Sequence, residues 1–251
     1  MNKTVCILGG SFDPVTYGHE MILSKISNLN WIDEVWIVLC RFRSDKCLGE
    51  FKHRTNMFSL IVDNNIYDIN KKKIHFKDIE YRDRSTPTYD LLTMLKNQYP
   101  DFTFYFVIGS DLLNDILSWD HGEKLVSENN FIIFERSNFN INGDILKQFN
   151  NYDLIKIKNT SFVNYISSTA VRKLIAQNEG IDVLSKYIHP VVYDYIKEHK
   201  LYKPISELNH SQSQQSESWI PKMEQVKIEN SEVEQATVEQ ATVEHTKMEI
   251  S

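Results

Sequence analysis

Val5-Cys6-Ile7-Leu8-Gly9-Gly10-Ser11-Phe12-Asp13-Pro14-Val15-Thr16-Tyr17-Gly18-His19 is the stretch from which the fold can be read. The four apolar residues at its head read as a buried strand. Two glycines and a turn follow, then a helix expected to open on His19. Gly9 and Gly10, having no side chain, let backbone N–H groups approach an anion, and the helix N-terminus adds a partial positive charge. His19 lies three residues before Ile22, on a stripe of Ile22, Ile26 and Leu29 expected to pack on a sheet. A histidine at the head of that stripe sits over the strand's carboxyl end, where open α/β sheets bind ligands.

The string matches neither of the two commonest phosphate loops. A P-loop ends in Gly-Lys-Ser/Thr, whereas Gly18 is followed by His19 and Glu20. The dinucleotide fingerprint needs glycine at its third position, which Ser11 occupies. A second motif, Ile166-Ser167-Ser168-Thr169-Ala170-Val171-Arg172, opens another helix with Val171, Leu174 and Ile175 on its apolar side. Ser167 or Ser168 suits its N-cap. Arg172 then falls in the first turn, where a cation opposes the helix dipole by about 0.3–1 kcal/mol. A polyphosphate at that helix end would turn the misplaced charge into a favourable one; the alternative is an ordinary capped helix carrying an incidental arginine.

Working outward, apolar runs predict strands at 4–8, 34–39, 74–79, 102–108, 130–135 and 153–157. Helical patterns fall at 18–29, 52–64, 88–98, 111–128 (with a break near Trp119), 168–177 and 190–200. Strands separated by helices predict βαβ units and a mostly parallel sheet. His189-Pro190 fits a helix start.

Length and charge divide the chain in two. Residues 206–251 hold three Lys and nine Glu, so the whole excess of −6 lies there, leaving 25 basic and 25 acidic residues in 1–205. A single catalytic domain over 1–205 is expected, without the basic footprint of a nucleic-acid binder. The tail carries tandem VEQAT repeats at 233–237 and 238–242 and a single aromatic, Trp219. A five-residue period drifts about 140° per repeat around a helix, so Val233, Val238 and Val243 build no stripe. Disorder or marginal helix is expected, with a weak partner-binding segment as the alternative. No apolar run approaches the roughly 18 residues of a membrane helix. With the first strand beginning almost at Met1, no targeting segment is expected. Cys6, Cys40 and Cys47 lack paired spacing, so a reducing, cytoplasmic setting without structural zinc is expected.

GGSFDPVTYGH and ISSTAVR resemble the two signature motifs of the T/HxGH nucleotidyltransferases, and within that superfamily the chain resembles the bacterial-type nicotinate mononucleotide adenylyltransferases. Thr86-Pro87-Thr88-Tyr89-Asp90-Leu91-Leu92 resembles that family's threonine-tyrosine-aspartate helix start. Gly109-Ser110-Asp111-Leu112-Leu113, with Trp119 downstream, resembles its glycine-x-aspartate loop and tryptophan. Val191 to Tyr202 resembles its closing helix. The likeness spans about residues 3–203. It implies a Rossmann-like, doubly wound, mostly parallel sheet with flanking helices, the second motif lying on a helix after the last strand.

The resemblance also implies a reaction: transfer of the adenylyl group of ATP to nicotinate mononucleotide, with release of pyrophosphate. Mg²⁺ would be held mainly by the ATP phosphates and water, with no metal ligand from the protein. His19 and Arg172 are the implied catalytic contacts to the phosphates. The ATP site would comprise Gly9, Gly10, Ser11, Phe12, Thr16, His19, Gly109, Asp111, Ile166, Ser167, Ser168, Thr169 and Arg172. Asp111 would accept from a ribose hydroxyl or cap the following helix. The acceptor site would comprise Ser11, Phe12, Lys46, Thr88, Tyr89, Trp119 and Arg136. Thr16 stands where the family most often has histidine, which puts that one phosphate contact in question. Arg136 is followed by Ser137-Asn138 rather than proline-glycine. Lys46 and Arg54 resemble the family's basic residues after the second strand, although Arg54 also suits the core edge, and Arg41 and Arg43 read as a solvated charge run.

Other readings stay open at this level: the same chemistry on nicotinamide mononucleotide or phosphopantetheine, or a non-catalytic nucleotide-binding module. ATP and the mononucleotide are the expected small-molecule partners; neither nucleic acid nor membrane is expected, and a homo-oligomer is compatible.

Overall fold

A computed structural model describes residues 2–64, 68–136, 139, 141–156 and 166–203. These fall within one compact unit, Met1–Ser213. The acidic tail, Ser137-Asn138 and position 157 of the sixth predicted strand lie outside the described residues.

The order of elements is β1 (Lys3–Gly10), α1 (Tyr17–Ser27), β2 (Glu34–Leu39), α2 (Phe51–Asn64), β3 (Ile74–Phe76), α3 (Thr88–Gln98), β4 (Phe102–Gly109), α4 (Gly122–Glu128), β5 (Asn130–Glu135), α5 (Gly143–Leu146), β6 (Asn151–Lys156), α6 (Ser168–Ala176), α7 (Ile181–Leu184) and α8 (Pro190–Glu198). The strands form one sheet in the order β3-β2-β1-β4-β5-β6. Every pairing is parallel. This is the doubly wound arrangement in which the strand order reverses between β1 and β4, opening a crevice at their carboxyl ends.

The strands were legible because a parallel sheet is covered on both faces, so its strands are continuous apolar runs. On one face Cys6, Leu8 and Ile37 join the core beneath α1, α2, α6 and α8. On the other, Val5, Ile7, Trp36 and Phe104 pack with Leu91, Leu95 and Leu125 of α3 and α4. β3 stops at Phe76, short of the predicted 79, where its pairing with β2 ends at Ile37. β6 starts two residues early because Asn151 already pairs with Asn130.

Helix α1 begins at Tyr17 with Thr16 as its N-cap, so His19 is its third residue and not its first. The fully buried side is Glu20, Leu23, Ile26 and Ser27, while Ile22 and Leu29 only flank the core. The predicted stripe was therefore about one residue, or about 100°, out of phase. The predicted 111–128 helix is broken into two 3₁₀ turns, Ser110–Leu112 and Ile116–Ser118, before α4. Gly122 enforces the break: a Cβ there would meet the Ile116 and Leu117 carbonyl oxygens at 2.5 Å. Helices α5 and α7 escaped prediction because four residues each are too few to show a period.

Both C-terminal helices end in Schellman turns. In α6 the Glu179 N–H reaches the Leu174 carbonyl and Asn178 adopts φ 60°. In α8 the Leu201 N–H reaches the Ile196 carbonyl and Lys200 adopts φ 52°. No helix among the described residues is long and apolar enough to cross a membrane.

Candidate active site

A cavity of about 790 Å³ opens over the carboxyl ends of β1, β2 and β4, and the first turn of α6 closes one side of it. Its wall includes Gly9, Gly10, Ser11, Phe12, His19, Lys46, Thr88, Asp111, Trp119, Ser168, Thr169 and Arg172. Residues from both ends of the catalytic region thus meet at the point where the sheet's order reverses.

The loop after β1 departs from the reading of its glycines. Gly9 and Gly10 are still strand residues, paired opposite Val38 and Leu39, and no glycine among the described residues has positive φ. What needs them is close approach of aromatic rings. A Cβ on Gly9 would lie 3.1 Å from the Phe106 ring, and one on Gly10 2.9 Å from the Phe12 ring. The left-handed residue in the turn is Phe12, at φ 48°, a conformation that a bulky side chain adopts only when its surroundings fix it. They do so here: Phe12 is buried edge-on against His19 and Phe58.

Arg54, on α2, holds the same loop from behind. Its guanidinium is 1 % exposed and donates to the carbonyls of Gly49 (2.7 Å) and Ser11 (2.9 Å). It does not reach the cavity wall; it clamps the loop that does.

His19 is fixed by its own helix start. The Thr16 backbone N–H donates to His19 Nδ1 at 3.0 Å, and the Thr16 hydroxyl lies 3.0 Å from the same nitrogen. This is a capping box with histidine in the third helical position, where glutamate or glutamine usually stands. Burial, and then the nearby Arg136 cation, lower the His19 pKa to about 4, so the ring is neutral at neutral pH. Thr16 itself is buried and off the cavity wall. Its hydroxyl, considered for a phosphate contact, lies against the histidine instead of facing the cavity.

The second motif divides between capping and lining. Ser167 is the N-cap of α6, its hydroxyl accepting from the Ala170 N–H at 3.1 Å. The Ser168 hydroxyl donates to the Pro14 carbonyl at 2.8 Å, tying α6 to the first loop. Arg172 reaches back across the site: Nη1 donates to the Asp13 carbonyl at 2.6 Å and Nη2 to the Thr169 hydroxyl at 3.3 Å. Ile166 is buried in the protein and Ser167 is occupied as a cap; neither lines the cavity. Both support the start of α6.

Of the residues expected at the acceptor, Thr88, half-buried Trp119 and exposed Lys46 line the cavity. Burial and the Arg43 cation lower the Lys46 pKa. Tyr89 does not face it: its hydroxyl donates to Glu128 at 2.8 Å, at the end of α4. As the residue following Thr88 in helix α3, it is rotated by about 100° from the residue that points inward. Arg136 is also off the wall, donating to Asp111 Oδ2 at 2.8 Å, and so orients the carboxylate expected at the ribose. Asp111 lies within a 3₁₀ turn capped by Gly109 and is not itself the N-cap. Gly109, although off the wall, makes room for that side chain, since a Cβ there would lie 2.2 Å from Asp111 Oδ1.

Several wall residues carried no decisive sequence signal. Glu80 accepts the Arg41 backbone N–H at 2.9 Å, and burial raises its pKa. Cys40 lies beside it on the wall, its thiol pushed up to about 11 by burial and by Glu80. Arg41 and Arg43 are paired, with Asp78 and Asp45 respectively, where a solvated run was expected. Asp13, visible only as part of the first motif, is a buried junction: Oδ1 accepts from the Tyr202 hydroxyl at 2.5 Å and Oδ2 from the Gly49 N–H at 3.0 Å.

Comparisons with known proteins agree with this geometry. A sequence model of the cytidylyltransferase-like family matches residues 7–174. A Clostridium botulinum protein named "Probable nicotinate-nucleotide adenylyltransferase" is 30% identical over 209 residues, 80% of this chain and 98% of its own. One of the same name from Oceanobacillus iheyensis is 28% identical over 204 residues, covering 80% and 97%. The Plasmodium falciparum nicotinic acid mononucleotide adenylyltransferase, solved in complex with NaAD, is 56% identical at a TM-score of 0.76, over 80% of this chain and 97% of that one. With the family model spanning both signature motifs and the relatives covering four fifths of the chain, the chain belongs to the cytidylyltransferase-like family, in its nicotinate-nucleotide adenylyltransferase group.

Proposed function

We propose that the chain transfers the adenylyl group of ATP to nicotinate mononucleotide, producing nicotinate adenine dinucleotide and pyrophosphate. The observation that carries this reading is that His19, Arg172, Thr88 and Trp119, from four separate stretches of the chain, line one cavity at the carboxyl ends of β1 and β4.

In the reaction a 5′-phosphate oxygen of the mononucleotide bonds to the α-phosphorus of ATP, and the bond to the β-phosphate bridging oxygen breaks. The nucleophile is already ionised, so no general base is required. The protein's task is to align two anions and receive the charge of the leaving pyrophosphate. Alignment contributes about 7–11 kcal/mol in well-oriented systems, and preorganised donors add to it. His19 supplies one such donor: with Nδ1 accepting from Thr16, the neutral ring carries its proton on Nε2. Arg172, held on the Asp13 carbonyl, supplies a fixed positive charge. On the other side Trp119 offers a face to the pyridine ring and Thr88 and Lys46 polar contacts, while the Asp111 carboxylate receives a ribose hydroxyl.

Among the described residues no group of three His, Cys, Asp or Glu side chains is placed to hold a metal ion. Mg²⁺ would arrive on ATP, since this ion keeps several waters and binds largely through phosphates. The ion would neutralise phosphate charge, with Ser168, Thr169 and Arg172 at the polyphosphate end of the cavity.

Pyrophosphate release from ATP and Mg²⁺, compared across nicotinate mononucleotide, nicotinamide mononucleotide and phosphopantetheine, tests the reading. Strong preference for the nicotinate form is expected. Equal use of acid and amide would make the enzyme dual-specific, and silence with all three would favour a binding module.

A further inference from the structure

The charged contact on which the proposed reaction most depends is held from the far end of the chain. Arg172 donates to the backbone carbonyl of Asp13 at 2.6 Å. Asp13 is 1 % exposed, and its two carboxylate oxygens are each engaged: Oδ1 by the Tyr202 hydroxyl at 2.5 Å, Oδ2 by the Gly49 N–H at 3.0 Å. The peptide that anchors the arginine therefore belongs to a residue whose side chain is pinned on both sides.

Three further observations mark this junction as built. Tyr202 sits at φ 61°, an outlier for a bulky residue, which persists only where surrounding contacts hold it. The Schellman turn through Lys200 reverses the chain after α8 and delivers Tyr202 to Asp13. Gly49 is required there as well: a Cβ would lie 2.8 Å from Asp13 Oδ1 and 3.7 Å from the Tyr202 hydroxyl. Arg54 then links the Gly49 carbonyl to that of Ser11, closing the junction onto the cavity wall.

We propose that Tyr202 is a positioning residue for adenylyl transfer, acting on Arg172 through Asp13. Losing its hydroxyl leaves one oxygen of a buried carboxylate unpaired. The side chain must then turn toward another donor and move the carbonyl that orients the guanidinium. Burial and the Asp13 carboxylate both raise the phenol's pKa, so it stays a donor across the working pH range. The inference rests on Arg172 contacting the ATP phosphates.

The test is a double-mutant cycle between Tyr202→Phe and Arg172→Ala, read as kcat and as KM for each substrate well below the melting temperature. Tyr202→Phe is expected to lower kcat about tenfold, with KM for nicotinate mononucleotide changed less than about twofold. In the Arg172→Ala background the same substitution is expected to change nothing further. An equal loss in both backgrounds, or an unchanged kcat in the single variant, overturns the proposal. If Tyr202→Phe does not fold, Gly49→Ala displaces Asp13 by crowding Oδ1 and enters the same cycle. Binding of a non-hydrolysable ATP analogue by calorimetry supplies a parallel cycle: a wild-type protein that binds the analogue but transfers to no acceptor refutes the adenylyl-transfer reading, while non-additivity in binding still decides the role of Tyr202.

Discussion

The Thr16 backbone N–H donates to Nδ1 of His19 at 3.0 Å. Because an amide N–H can only donate, it fixes the imidazole tautomer and leaves Nε2–H as the donor available to a phosphate. Burial and Arg136 hold the pKa near 4, so the ring is neutral at neutral pH. His19→Ala is expected to lower kcat by about 10²–10³, and the kcat/KM profile should show no His19 limb between pH 6 and 7. A loss below tenfold would remove His19 from the transition state. Thr16→Ala keeps the backbone donor and is expected to cost less than tenfold.

Glu20, next in the helix, is 1 % exposed and neither carboxylate oxygen has a hydrogen-bond partner. Burial raises its pKa to about 7 from an ordinary 4.5. The folded state thus holds a proton that the unfolded state releases between those values. The stability it contributes is full below about pH 4.5 and is lost as pH rises through 7, a swing of roughly 3 kcal/mol at 1.36 kcal/mol per unit. His19 slopes the opposite way: its folded pKa is depressed, so its contribution is full above about 6.5 and is lost as pH falls through 4. Glu20→Gln should therefore raise the urea midpoint relative to wild type at pH 8 and match it at pH 4. A gap of equal size at both values would place the cause elsewhere.

These neighbours show what the sequence could and could not disclose. The strands and the larger helices were legible because burial on both faces of a sheet, or one face of a helix, writes a local period. The two motifs were legible as strings, and they did locate the cavity. The reasons behind single residues were not, because they come from residues distant in sequence. Gly9 is small because Phe106 lies over it, and Gly10 because of Phe12. Arg54 read equally well as a ligand or a core-edge residue until its two carbonyl partners were known. Tyr89 differs from Thr88 by one step around a helix, which a motif does not resolve.

Gly109 tests the ribose assignment of Asp111. A methyl group at this position would sit 2.2 Å from Asp111 Oδ1 and 3.4 Å from Arg136 Cδ. The carboxylate must then leave its place and its 2.8 Å pairing with Arg136. Gly109→Ala is expected to raise KM for ATP about tenfold, the loss of one charge-assisted hydrogen bond, with the fold intact by circular dichroism. An unchanged KM for ATP would mean that Asp111 does not hold the nucleotide.

Among the described residues, the cavity wall runs from Gly9 to Arg172, and Tyr202 is tied to it through Asp13. Deleting 206–251 is accordingly expected to leave kcat/KM within about twofold while removing the whole net charge of −6. A tenfold drop would assign the tail a part in closing or assembling the site. Salt dependence of kcat/KM, compared between full-length and shortened chains, separates a general electrostatic effect from a contact.

Arg54 offers a test of loop support that leaves the cavity wall untouched. Its planar guanidinium reaches two carbonyls at once, Gly49 O through Nε and Ser11 O through Nη1. A lysine at this depth lacks the planar fork that spans both carbonyls and desolvates at greater cost. One buried carbonyl is then left without its donor, a loss of about 1–3 kcal/mol. Arg54→Lys should lower the melting temperature by roughly 2–12 °C for a chain of this size class. Since Ser11 is on the cavity wall, kcat should fall as well, by an amount that cooling does not restore. If activity at low temperature instead returns to the wild-type value, Arg54 supports only the fold. The loop's set would then come from Phe12 packing against His19 and Phe58.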